Sequence, residues 1–144
     1  MTKRERVLAA VSHREPDRVP IDQGSMRSTG IMAIAYNRLK EYLGIQTGPA
    51  FLYDLIQQLA LPEPWYLDRF RVDCVDAGRA FTSPAKQQPW VLPDGSPATA
   101  PAWFKPEWED GGLLYRDSEG DVLGKMPKGA LYLDQCFWPL SGPE

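Results

Sequence analysis

The chain has 144 residues, with 16 Lys+Arg against 19 Asp+Glu, one His and two Cys, for a formal charge of −3. With 43% hydrophobic residues it holds enough apolar material for one core, which excludes global disorder and a collagen-like chain. The mild acidity offers no global attraction to nucleic acid. The longest clean apolar stretch, 31–36, falls short of the roughly 18 to 20 residues that cross a bilayer, and the apolar run Val7 to Val11 is too short for a secretion signal. A cytoplasmic protein without nucleic-acid or membrane partners is expected. Cys74 and Cys136 are too few for a disulfide framework and are expected as reduced, buried structural thiols.

Thr2 followed by Glu5 is a capping box, and the apolar residues Val7, Leu8, Ala10 and Val11 predict a helix from Lys3 to His13, stopped by Pro16. Residues 18–22 read as a strand ending in the polar turn Gln23-Gly24-Ser25. Ile31, Ile34, Ala35, Leu39, Tyr42 and Leu43 stand at helical spacing, with Ser28 or Thr29 as cap and Gly44 as stop. Pro49 suits the first turn of a further helix carrying Leu52, Leu55, Ile56 and Leu59. A short helix from Glu63 to Phe70 follows, then a second strand over 72–76 closed by Gly78.

Pro84, Pro89, Pro93, Pro97, Pro101 and Pro106 punctuate the next stretch, which is expected to be neither helix nor central strand. Beyond it, 113–116 and 121–125 flank Asp117-Ser118-Glu119-Gly120, a hairpin signature, and 131–133 suggests a third strand. The chain is thus divided into a helix with the first two βα units over 1–82, a proline- and aromatic-rich loop over 83–110 and an antiparallel β insertion over 111–144. The order helix, strand, helices, strand is the grammar of parallel βα units. Because two such strands do not close a sheet, the chain is read as the front of a longer protein.

The opening Thr2-Lys3-Arg4-Glu5-Arg6-Val7-Leu8-Ala9-Ala10-Val11 and the following His13-Arg14-Glu15-Pro16-Asp17-Arg18-Val19-Pro20-Ile21-Asp22 resemble the N-terminus of the uroporphyrinogen decarboxylase superfamily. Arg27-Ser28-Thr29-Gly30-Ile31, the run 36–44 and the run 54–60 continue the likeness, which covers roughly residues 2 to 80. The opening is more similar to the bacterial branch that includes cobamide-dependent methyltransferases. The resemblance implies an α/β fold, the N-terminal portion of a (β/α)8 TIM barrel with an antiparallel β insertion. It also implies an enzyme fragment acting in tetrapyrrole- or corrinoid-linked chemistry, by methyl transfer. Uroporphyrinogen decarboxylation in porphyrin biosynthesis, a non-catalytic interaction module and an inactive truncated product are the alternatives.

The family's decarboxylases carry a Met-Arg-Gln-Ala-Gly loop whose arginine faces substrate carboxylates. Met26-Arg27-Ser28-Thr29-Gly30 keeps the Met-Arg and the Gly and lacks the Gln-Ala, which favours methyl transfer. The expected substrate-binding residues are Arg27, Asp22, Ser28 and Gly30, because a guanidinium between glycines and hydroxyls can grip a carboxylate or phosphate. The alternative for Arg27 is an ion pair with Asp22 or Glu15. In the methyltransferase branch a zinc ion activates a thiol, so zinc and cobamide are expected for the whole protein and no metal site for this chain, where His13, Cys74 and Cys136 stand apart. A small molecule or a corrinoid protein is the expected partner, together with the remainder of the barrel. Asp76 is expected as a half-buried carboxylate paired with a local arginine. Trp90, Trp103, Phe104 and Trp108 are expected to pack a lid.

Overall fold

The computed structural model describes residues 1–77 and 86–138, so Gly78, Pro84 and the final turn at 141–144 lie outside the described residues. Helix α1 (Lys3–Val11) begins at the expected cap: Glu5 N donates to Thr2 Oγ1 at 3.2 Å and Thr2 N donates to Glu5 Oε2 at 2.8 Å. It ends two residues before His13, which takes a left-handed backbone at φ 55°. Charge fastens this helix more than apolar contact does, because its buried residues are Arg6 and Ala9. Arg6 Nη1 donates to Asp73 at 2.6 Å, while its Nε and Nη2 donate to Asp17 at 2.6 and 2.9 Å. Arg18 forks onto the same Asp73 carboxylate at 2.7 and 2.9 Å.

Neither expected barrel strand forms. Residues 18–22 and 72–76 lie in no sheet; they are tied by Asp73 N donating to Ile21 O at 2.8 Å and Ile21 N donating to Asp73 Oδ2 at 2.9 Å. A 3-10 turn (Arg27–Thr29) then leads into β1 (Ile31–Met32) and α2 (Ala33–Leu43), which Gly44 closes at φ 67° as expected. The helix starts after Ile31 and Met32 because those two pair with β3.

The helix expected after Pro49 is instead a hairpin of β2 (Ala50–Asp54) and β3 (Leu59–Ala60). Ala50, Leu52 and Asp54 are buried while Phe51 and Tyr53 are half-buried, a period of two in which aromatics favour a pleated surface. The Leu52, Leu55 and Leu59 spacing that suggested a helix is equally met by two strands and a tight turn, which Gln58 completes at φ 54°. Helix α3 (Pro64–Arg69) follows with Pro64 in its first turn.

The proline stretch also departs from expectation, for it contains β4 (Gln87–Val91) and β5 (Pro97–Pro101), paired antiparallel. The prolines fall where strands tolerate them: Pro97 and Pro101 at the ends of β5, Pro89 on the edge strand β4. β5 itself is central, between β4 and β2, in a five-stranded sheet of order β1-β3-β2-β5-β4. Its pairing with β2, Ala50 with Ala98 and Phe51 with Thr99, is parallel. Asn37 of α2 clamps that junction, donating from Nδ2 to Pro97 O at 2.8 Å and accepting from Ala50 N at 3.3 Å.

The second sheet has the order β6-β7-β8-β9 and is antiparallel throughout, with β6 (Glu107–Glu109), β7 (Gly112–Arg116), β8 (Val122–Met126) and β9 (Asp134–Gln135). The β7–β8 hairpin lies where the turn residues 117–121 predict it. The third strand is shifted to 134–135. Tyr36, Leu52, Tyr66, Val72, Leu92, Ala98, Ala100 and Phe104 form the main core between the first sheet and its helices, and Leu113, Met126 and Leu133 form a smaller one. Trp90 and Tyr115 touch both.

The described residues therefore make a β-rich fold of nine strands and three short α-helices, not the portion of a TIM barrel that the order of elements implied. Alternating βα units require parallel neighbours joined by helical crossovers. Here one of the seven strand pairings is parallel, and the segment expected as a covering helix is itself part of the sheet.

Candidate functional site

The segment 22–30 remains the place where the expected binding residues meet, although it precedes a sheet edge rather than crowning a barrel strand. Asp22 organises it. Ser25 N donates to Asp22 Oδ1 at 3.2 Å, and the Thr29 hydroxyl lies 3.2 Å from the same oxygen while accepting from Gly24 N at 3.3 Å. Asp22 and Ser28 are exposed, and Gly30 is half-buried. Asp22 thus acts as an Asx-type brace for the loop, which accounts for an aspartate at this position without a ligand.

Two glycines let the loop lie flat against its neighbours. Gly24 sits at φ 89°, where a Cβ would stand 2.5 Å from Pro62 Cγ. At Gly30 a Cβ would stand 2.6 Å from Leu59 Cδ1 and 2.9 Å from Tyr53 Oη. That close approach delivers the 3-10 turn to the end of β2.

Arg27 is the charged group of the turn and its side chain is 73% exposed. Its ionic partner is neither Asp22 nor Glu15. Arg27 Nε stands 2.6 Å from Oδ2 of Asp54, a carboxylate only 2% exposed at the end of β2. Asp54 Oδ1 accepts from Gln57 N at 2.7 Å. Sequence reasoning missed Asp54 because it placed 50–60 in a helix; the alternation that makes β2 a strand is the signal that buries it.

Other expected residues lie apart. His13 is exposed beyond α1, and Cys136 is exposed rather than buried. Cys74 is half-buried and lines a small cavity with Gly24, Leu61, Pro62, Leu67 and Asp76. Burial, then the negative charges of Asp22 and Asp73, push its thiol up, which suppresses the thiolate that nucleophilic or metal chemistry needs. Among the described residues no three His, Cys, Asp or Glu side chains converge as a metal site would require. These donors do not fit a zinc ion.

The aromatic residues divide. Trp90 and Phe104 pack at 5.2 Å and Phe104 and Tyr115 at 5.0 Å, joining the two sheets, whereas Trp103 and Trp108 are 60% and 68% exposed. A second recess, lined by Phe51, Leu61, Pro62, Glu63, Gln87 and Thr99, lies on the first sheet. Burial pushes Glu63 up, yet hydrogen bonds from Thr47, Lys40 and Trp65 outweigh it and hold the carboxyl below its usual range. Lys40 Nζ lies 2.9 Å from Glu63 Oε2, so this pair is internally compensated.

No family model, no curated protein and no solved structure matches the chain. The comparisons therefore add no evidence for the superfamily named above or its enzymes, and among the described residues no helix is long and apolar enough to cross a membrane.

Proposed function

We propose that the chain supplies an anion-gripping loop to corrinoid- or tetrapyrrole-linked chemistry, with methyl transfer as the reaction and Arg27 as the residue that holds a propionate-type carboxylate or a phosphate. The presentation of Arg27 carries this reading. A surface-exposed guanidinium is braced on one side by a buried acid and set in a turn flanked by Gly24 and Gly30, and a fixed fork binds planar anions better than a mobile one. The run Met26-Arg27-Ser28-Thr29-Gly30 within the resembling opening supports the choice of ligand. The corrinoid or tetrapyrrole is substrate here. Arg27 binds and orients it, and no step runs through a zinc ion held by this chain.

Titration of the chain with a tetrapropionate porphyrin, followed by the shift of the porphyrin absorbance, tests the proposal. Replacing Arg27 by Ala should weaken binding by about 10- to 100-fold, the effect of one charge-assisted contact. Equal affinity in the variant would overturn it.

A second reading, a non-catalytic interaction module, is favoured by the exposure of Trp103 and Trp108. Replacing both by Ser should leave porphyrin affinity unchanged under the first reading, and should abolish self- or partner association under the second.

A further inference from the structure

Resting on the reading of Arg27 as an anion grip, we propose that Asp54 is its positioning residue: a buried acid that fixes the guanidinium without touching the ligand. Asp54 closes β2 opposite Leu59, which pairs in turn with Met32 of the edge strand β1, and the turn before β1 reaches back to it through the Arg27 side chain. The missing side chain at Gly30 permits that approach. Asp54 is 2% exposed, and a carboxylate so placed needs compensation. It receives one backbone N–H from Gln57 and the Arg27 cation, the only ion pair it makes among the described residues.

The geometry assigns the two ends of Arg27 different tasks. Nε stands 2.6 Å from Asp54 Oδ2 in an ion pair, while a side chain that is 73% exposed keeps the guanidinium accessible to a ligand. Breaking the pair would strand a buried charge, so Arg27 is held in one direction even before a ligand arrives.

The consequence opposes simple electrostatics. Acting only through space, Asp54 repels an incoming anion, and Asp54→Asn should tighten binding. As a positioning residue it keeps the fork aimed, and Asp54→Asn should weaken tetrapropionate porphyrin binding by about tenfold despite removing a negative charge. Tighter or unchanged binding in Asp54→Asn would overturn the proposal.

A second measurement needs no ligand. In the ligand-free wild-type chain 15N relaxation of Arg27 Nε should report a side chain as ordered as the backbone of its turn, and in Asp54→Asn the motion of an untethered surface arginine. An Arg27 Nε as mobile in the wild type as an untethered surface arginine would overturn the proposal even if Asp54→Asn failed to fold. If Arg27→Ala leaves porphyrin affinity intact, the anion reading fails, and the relaxation of Nε still decides whether Asp54 fixes this side chain.

Discussion

Asp73 and Ile21, 52 residues apart in sequence, hold each other twice: the Asp73 amide donates to the Ile21 carbonyl at 2.8 Å and the Ile21 amide donates to the Asp73 carboxylate at 2.9 Å. With Arg6 and Arg18 on the same carboxylate, whose side chain is fully buried, one residue fastens α1, the segment 18–22 and the segment after α3. Replacing Asp73 by Asn would leave two arginines without their acid. The expected loss is about 3 to 5 kcal/mol, as for other broken buried pairs, and urea titration of Asp73→Asn against the wild type measures it.

The same cluster sets the acid limit of the fold. Burial pushes Asp73 up, but the Ile21 amide, Arg18 and Arg6 outweigh it and leave the carboxyl below its ordinary range; the Arg6 hydrogen bond does the same to Asp17. A group whose folded pKa lies below its unfolded value contributes stability above the unfolded value of about 3.9, and that stability is lost as pH falls through the folded one. Thermal stability should therefore be flat from neutral pH to about 5 and fall steadily below 4. In Asp73→Asn the fall should be shallower. Melting temperatures from pH 7 down to pH 2 on both proteins give the answer, and equal slopes would remove Asp73 as a cause.

Gly112 offers a sharper test of the second sheet. A Cβ there would stand 2.6 Å from the Met126 carbonyl, a backbone atom of the paired strand. Gly112→Ala should cost about 2 kcal/mol or more, because relief requires moving β7 away from β8. Gly120→Ala meets no atom within 4 Å but sits at φ 95°, so its cost of about 1 kcal/mol is one of backbone conformation alone. Chemical denaturation of the pair separates packing from conformation.

The capping box predicts a small, local effect. Thr2→Ala removes the Oγ1 that accepts the Glu5 amide and should destabilise the start of α1 by about 1 kcal/mol. Amide exchange should rise in the first turn of α1 and stay unchanged in β7 and β8.

Metal content gives an independent test. His13, Cys74 and Cys136 lie in separate parts of the chain, so protein purified without chelators should carry zinc well below one equivalent by elemental analysis. Stoichiometric zinc that is lost in Cys74→Ser would show that the chain closes a site by assembling with another copy or partner.

Local signals were legible in the sequence where the physics is local. The Thr2–Glu5 box, Gly44 at the end of α2 and the turn at 117–121 each depend on a few neighbouring residues, and each stands where expected. The barrel was not a local inference: it rested on the order of elements, and that order failed at 50–60, where one apolar spacing suits both a helix and a hairpin. Tyr53 and Phe51, aromatic and alternating with buried Leu52, were the available evidence for a strand. Of the candidate site, Arg27 and its glycines could be picked out by residue type, whereas Asp54 could not, because its burial depends on β2 pairing with β3. Prolines misled by their number. What matters is whether each lies at a strand end or on an edge, as Pro97, Pro101 and Pro89 do.

The parallel junction of β2 with β5 bears on how the chain acquires this shape. Its two residue pairs join segments roughly fifty residues apart, whereas β7 and β8 meet across a five-residue turn. Closing a long loop costs entropy before any contact repays it, so the hairpins should assemble early and the β2–β5 seam late. Asn37, bonded to both strands at that seam, acts as the clasp of the slow step. Asn37→Ala should accordingly speed unfolding more than it slows folding, and leave a transient species whose second sheet is formed while the first is still open.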